Sequence, residues 1–313
     1  MPHVTFVHGI SNKPTPDKLL ENWNAELDIG GLNLATQGVT SSMVYWADVV
    51  YENPLKSSSN FESVDDALGT EGDDADLDWV NTLSGDQRAV VDALIKKLEL
   101  DKSPPNNDKE ARPNVPMDED SDYDFEAIPL PWFIKERVMK RFLKDVHHYL
   151  FNERFSPRAG ETYDVQTELR KRFIGQLEND KANATGPFVI VAHSMGTVIS
   201  YDCIKNVPGC PTIDGLITVG SPLGLSEIHD NFKPDYNRRD AYPSTNIARQ
   251  WVNIYDRLDP VAFDARLSND YRQSGQDVIK DEKVRNAGVW RHSSHKYFHQ
   301  AKLVSHLKNL LSV

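Results

Sequence analysis

Ser194, Asp256, Asp259, His292, His295 and His299 are residue types that together can carry out base-assisted nucleophilic attack. A neutral hydroxyl is a poor nucleophile until a base takes its proton. The base needs a carboxylate to hold its tautomer and to support the imidazolium. Ser194 lies in Ala192-His193-Ser194-Met195-Gly196, a small-x-Ser-x-Gly turn. Tiny residues two places either side of the serine keep the first helical turn from colliding with the strand before it. Such a turn lifts Oγ clear of a sheet and aims the next backbone N–H groups at whatever Oγ attacks. Ala192 departs mildly from a glycine at that place, and five residues recur by chance, so the context has to carry the reading.

Two acids compete for the carboxylate role. Asp256 stands at a strand end and can make a turn, whereas Asp259 follows in Asp259-Pro260-Val261, where the proline stiffens its loop; Asp259 is preferred. Three histidines compete for the base. His295 is preferred because it comes last before the closing helix, after two serines that could cap it. His292 is the main rival, and His299, a turn inside the helix, is expected to pack or face water. His295 and His299 are spaced for a shared metal, but no glutamate lies between them, so the zinc-protease pattern is absent and no metal is expected. Acyl transfer also needs donors for an oxyanion. The backbone N–H groups of Ile10 and Met195 are the expected pair, each contributing about 3 kcal/mol to a transition state.

Elements able to position these residues are legible in the apolar pattern. Short apolar runs mark strands at 4–7, 42–46, 188–191, 213–219 and 250–255, with a last one at 277–284. Helical spacing marks 18–27, then a stripe of Val90, Val91, Leu94, Ile95 and Leu98 begun by a Ser84/Gln87 capping box. Further stripes are Ile134, Val138, Phe142, Val146 and Leu150, and Val165, Leu169, Phe173 and Leu177. Six strands separated by helices, with no hairpin signals, predict an α/β, doubly wound, mostly parallel sheet. Ligands bind such sheets at the carboxyl strand ends where the winding reverses. With strand order 2-1-3-4-5-6, the His8-Gly9-Ile10 and His193-Ser194-Met195 turns meet there. His8, Gly9, His193, Pro222 and Leu223 are the expected substrate-binding positions, although His8 also reads as a structural residue holding the first loop.

Between Lys56 and Arg88 nine acids occur without a single basic residue, which reads as a solvated loop. Asp74, Asp76 and Asp78 alternate as in a calcium loop, but Trp79 and Gly85 stand where Gly and Glu belong. Residues 101–131 read as irregular. His147 and His148, neighbours on a helix, diverge and suit packing better than a shared metal. Trp79, Trp132 and Phe133 fit either an apolar acyl site or the core of this segment itself.

The 313 residues, 39% hydrophobic and 26% charged, suit one large domain or two small ones. A net charge of −12 disfavours nucleic acid and anionic membranes as partners. No apolar run is long enough to span a bilayer, and Met1-Pro2-His3 runs straight into a strand, so neither stable membrane insertion nor a secretory signal is expected. A cytoplasmic location follows, with Cys203 and Cys210 as free thiols.

Val4-Thr5-Phe6-Val7-His8-Gly9-Ile10, the Ser194 turn, Thr218-Val219-Gly220-Ser221-Pro222-Leu223-Gly224, Asp259-Pro260-Val261 and His295-Lys296-Tyr297 together resemble α/β-hydrolases of the lipase/esterase kind, in the compact form that begins at the His-Gly strand. The resemblance covers residues 1–48 and 185–313. It implies a single α/β-hydrolase domain (core 1–49 and 181–313) with a largely helical lid or cap insertion at 50–180. It further implies cleavage of a small acyl ester on Ser194, Asp259 and His295 without cofactor. Thioesterase, amidase or acyltransferase chemistry on the same residues, or a non-catalytic binding protein on the same fold, are the alternatives.

Overall fold

The computed structural model describes residues 1–55, 76–102, 132–233, 236–262, 264–288 and 290–313; side chains are described for these except at 132 and 133. In chain order the elements are β1 (His3–Val7), α1 (Pro16–Ile29), β2 (Thr40–Val44), α2 (Ala47–Val50), α3 (Gly85–Lys97), α4 (Trp132–Leu150), β3 (Arg154–Arg158), β4 (Glu161–Asp164), α5 (Val165–Asn183), β5 (Phe188–His193), α6 (Met195–Asn206), β6 (Ile213–Val219), α7 (Ser226–His229), β7 (Ile247–Asp256), β8 (Lys280–Val284), α8 (Ser294–Phe298) and α9 (Ala301–Leu311). Six strands form one sheet in the order β2-β1-β5-β6-β7-β8, with every neighbouring pair parallel. This is the doubly wound α/β fold, and the winding reverses between β1 and β5 as expected.

The sheet is buried on both faces, which is why β5 reads as a continuous apolar run rather than an alternating one. Ile190 and Ala192 point into one core with α4, α5 and α6, while Val189 and Val191 point into the other with α1, α8 and α9. Phe142, Leu143 and Val146 of α4 and Leu169, Phe173 and Leu177 of α5 are fully or almost fully buried in the same core as Ile190, Ala192 and Val198. Residues 132–183 are therefore a layer of the sheet's own packing. α4 and α5, inside the stretch expected as a lid or cap insertion, share this core with β5 and α6. Arg170 reinforces that layer with two bonds to Asp202 (2.8 and 2.9 Å), and the Tyr149 hydroxyl donates to the same carboxylate at 2.6 Å, so one buried charge joins three helices.

Several local expectations are corrected. A hairpin does occur, β3 pairing antiparallel with β4 and Phe155 opposite Tyr163. Its alternation is short and interrupted by Pro157, which hides the strand signal. Ser84 is the N-cap of α3 but makes no side-chain capping bond, and Gln87 instead donates to Glu153 Oε1 at 3.0 Å. The second strand ends at Val44 and the last begins at Lys280. Of the calcium-loop residues, Asp74 lies outside the described residues, and the Asp78 N–H donates to Asp76 Oδ1 at 3.1 Å in a local turn. The residue 101–131 segment lies outside the described residues beyond Lys102.

Trp79 belongs to the packing of this region: its ring lies 4.7 Å from that of His147, whose other neighbours are Phe151 at 5.2 Å and His148 at 6.0 Å. Both ring nitrogens of His147, Nδ1 of His148 and Nε1 of Trp79 are buried without a hydrogen-bond partner among the described residues. Burial lowers His147 to about 4, and burial with the nearby Lys144 cation lowers His148 to about 3. The unfolded chain titrates both near 6.5, so on acidification it binds protons before the folded chain does. The stability these neutral rings contribute is complete above about pH 6.5 and is lost as the pH falls toward 4. Each ring should cost about 1.4 kcal/mol per pH unit across that window. Urea unfolding at pH 7 and pH 5 is expected to show this loss, and the double variant His147→Phe, His148→Leu to flatten it. An unchanged slope in the double variant would show that the two imidazoles remain hydrated.

Candidate active site

β5 delivers Ser194 into a backbone conformation of φ 54°, ψ −127°, which residues with a side chain avoid. The surroundings hold it there. The Ser194 N–H donates to Val219 O at 3.1 Å, and the Ser194 carbonyl accepts from Thr197 N–H (2.9 Å) and Thr197 Oγ1 (2.7 Å). Thr197 Oγ1 also lies 2.8 Å from Ser221 Oγ, tying the turn to the loop after β6. Only glycine fits at 196, since a Cβ would stand 2.4 Å from Val7 O and 2.6 Å from His8 O. A Cβ on Gly9 would lie 2.6 Å from Ser194 Cβ and 3.2 Å from its Oγ, so the loop after β1 abuts the serine itself. The two turns therefore meet, as strand order predicts. Ser194 Oγ is buried and, among the described residues, has no hydrogen-bond partner.

Asp259 and a histidine also meet, but the histidine is His292. Its Nδ1 stands 2.9 Å from both Asp259 oxygens. A carboxylate accepts, so Nδ1 carries a proton towards Asp259; Nε2 is buried and, among the described residues, without a hydrogen-bond partner. The Tyr297 hydroxyl donates to Asp259 Oδ2 at 2.6 Å and the Val261 N–H to Oδ1 at 2.9 Å. Burial alone would raise the Asp259 carboxyl, but the His292 charge and these three donors hold it below the usual carboxylate range. Burial, then the Asp259 charge, push the Tyr297 hydroxyl well above its ordinary value. Asp256 is the turn-maker: Oδ1 accepts from Leu258 N–H at 2.9 Å, while Oδ2 accepts from Asn286 N–H at 2.7 Å and Arg291 at 3.2 Å. Its burial raises its carboxyl despite those bonds.

The expected pairing of His295 with Asp259 is overturned. Ser293 is the N-cap of α8, which puts His295 in the first helical turn. Ser294, Tyr297 and Phe298 form the inward face of that helix, so His295 falls on the outward face, its Nδ1 2.6 Å from Ser293 Oγ. His299 is exposed and bonds Glu26 at 2.7 Å. Tyr297, which the sequence reading left without a role, takes the inward position on Asp259; its only signal was its place one helical turn past the cap.

Of the expected oxyanion donors, Met195 opens α6, so its N–H has no acceptor within the helix. Ile10 follows Gly9, and its carbonyl accepts from Lys13 Nζ at 2.7 Å. His8 is structural: Nε2 accepts the Trp46 N–H at 3.0 Å, Nδ1 lies 2.9 Å from Gly9 O, and the ring stacks on Trp46 at 4.8 Å. His193 Nε2 lies 2.7 Å from the His292 carbonyl. Pro222 is buried, and Leu223 is fully buried with its carbonyl bound by the Tyr271 hydroxyl at 2.7 Å. Among the described residues no cluster of three metal-ligating side chains occurs, and no helix is long and apolar enough to cross a membrane. Cys203 and Cys210 are free and buried, and burial raises both thiols, Cys210 to about 12.

Fold and site together define an α/β doubly wound protein with a strained serine at the switch-point end of β5 and an Asp259–His292 pair in the loops that follow β7 and β8. No protein-family model matches the chain, and no curated protein matches it. Among solved structures the chain is similar to one described as a YdeN-like hydrolase from Pectobacterium atrosepticum, at 9% identity and a TM-score of 0.30, over 46% of this chain and 69% of that one.

Proposed function

We propose that the protein is a serine hydrolase that cleaves carboxylic esters through an acyl-enzyme. Ser194 is the nucleophile, His292 the base and Asp259 the carboxylate that orients it; the Ile10 and Met195 N–H groups receive the oxyanion. The observation that carries this reading is a complementary pair of open valences. A hydroxyl on a strained turn and the Nε2 of an aspartate-bound imidazole are both buried, and among the described residues neither has a hydrogen-bond partner. Natural structures leave few buried polar groups unsatisfied, and a catalytic role is one of the explanations for those that remain; here the two atoms are a serine hydroxyl on a strained turn and the far nitrogen of an aspartate-bound imidazole. In this reading His292 Nε2 takes the Ser194 proton as Oγ adds to the ester carbonyl, then returns it to the departing alcohol. Water, activated by the same nitrogen, releases the acid.

The test is incubation with a fluorophosphonate, location of the adduct by mass spectrometry, and turnover of p-nitrophenyl esters of rising acyl length. An adduct on Ser194 with ester turnover supports the reading. A protein that reacts with neither probe is a binding module on this fold, and turnover confined to thioesters or amides moves the reaction class while keeping the residues.

A further inference from the structure

We infer that His193 is a positioning residue that locks the base onto the serine's own turn, an inference that rests on the hydrolase reading above. His193 is the last residue of β5, paired in register with Val219 and joined directly to Ser194. Alternation along the strand sends its side chain to the same face as Val189 and Val191, among the rings of Trp23 and Tyr297, both 6.4 Å away. There Nε2 reaches the His292 carbonyl at 2.7 Å, and the two imidazoles lie 4.7 Å apart. A carbonyl only accepts, so Nε2 carries the proton. A Cβ on Gly9 would meet His193 Nδ1 at 3.1 Å, so the same ring also borders the loop that bears Ile10.

His292 is thereby fixed from three directions. Asn286 Nδ2 donates to the Arg291 carbonyl at 2.7 Å, His193 donates to the carbonyl of His292 itself, and Asp259 holds the ring. The first and last of these belong to the β7–α8 side of the site. Of these three contacts, the one from His193 joins the base to the strand that carries the nucleophile, and it is the one placed to set the distance between the two. Displacements of about 1 Å at a reacting pair can cost about 100-fold in rate. A positioning role therefore acts on kcat rather than on substrate affinity.

The experiment compares His193→Phe, which keeps a ring but loses the donor, with His193→Gln, whose amide N–H reaches toward the Nε2 position. Activity is normalised to fluorophosphonate-titrated sites, and the Nδ1–H proton resonance of His292 is followed by NMR. His193→Phe is expected to lower kcat about 10- to 100-fold with KM within about twofold, and to shift or broaden that resonance. His193→Gln is expected to recover most of the kcat and the resonance. Should His193→Phe fail to fold, His193→Asn, whose amide stops short of the carbonyl, takes its place. Wild-type kcat per titrated site in the donor-less variant, or equal loss in both variants with the resonance unmoved, overturns the inference. That result is distinct from failure of the hydrolase reading, which would show as wild-type protein that neither labels nor turns over ester.

Discussion

Ser194→Ala is expected to abolish the fluorophosphonate adduct and to lower kcat for a p-nitrophenyl ester by about 10⁶-fold, the scale seen when a serine nucleophile is removed. Stability should barely change. Among the described residues the hydroxyl has no hydrogen-bond partner to lose, and alanine meets the same backbone strain at φ 54°. Ser194→Gly separates the two properties further. Glycine occupies positive φ without penalty, so this variant should be as inactive as Ser194→Ala yet more stable by about 1 kcal/mol, the order of strain released at such a position. Activity assays with equilibrium unfolding of both variants check this. Turnover that survives in Ser194→Ala would remove the serine from the chemistry, and a glycine variant no more stable than the alanine one would mean the turn is not strained.

The second large effect separates two histidines three residues apart. His292→Ala is expected to lower kcat by about 10⁶-fold, as loss of the base does in this kind of constellation. Asp259→Asn should cost about 10⁴-fold through the wrong tautomer. His295→Ala should leave kcat within about threefold, because its ring lies on the outward face of α8 and bonds Ser293. His292→Ala also strips a partner from a fully buried carboxylate that keeps only the Tyr297 and Val261 donors, so stability should fall along with activity. Steady-state rates per folded molecule, with folding monitored by circular dichroism, decide the matter. Full activity in His292→Ala alongside loss in His295→Ala would require the β8–α8 loop to rearrange when substrate binds.

Much of this protein is determined by its sequence alone. The β-branched run before Ser194, the small residues at 192 and 196, and the helical and strand periods are local patterns, and local patterns set which elements form and in what order. Strand order and the meeting of the Gly9 and Ser194 turns then follow from the chirality and economy of parallel crossovers. The sequence also favours Asp259 over Asp256, because a proline beside an acid stiffens the loop that presents it, and in the fold Asp259 is the one of the two that pairs with a histidine.

Which histidine meets that acid was decided only in three dimensions. A helix of five residues turns one face inward, and its phase is set by Tyr297 and Phe298 entering a core built from α1, β1 and β5, far away in the chain. That phase sends His295 outward. The loop before the helix is shaped by Asp256 gripping the Asn286 N–H and Arg291, 30 and 35 positions further along the chain, and this brings His292 inward. The membership of α4 and α5 in the sheet's own core and the bond from His193 to His292 have the same character. They depend on which buried polar group finds a partner once the layers close, and no local spacing encodes that choice.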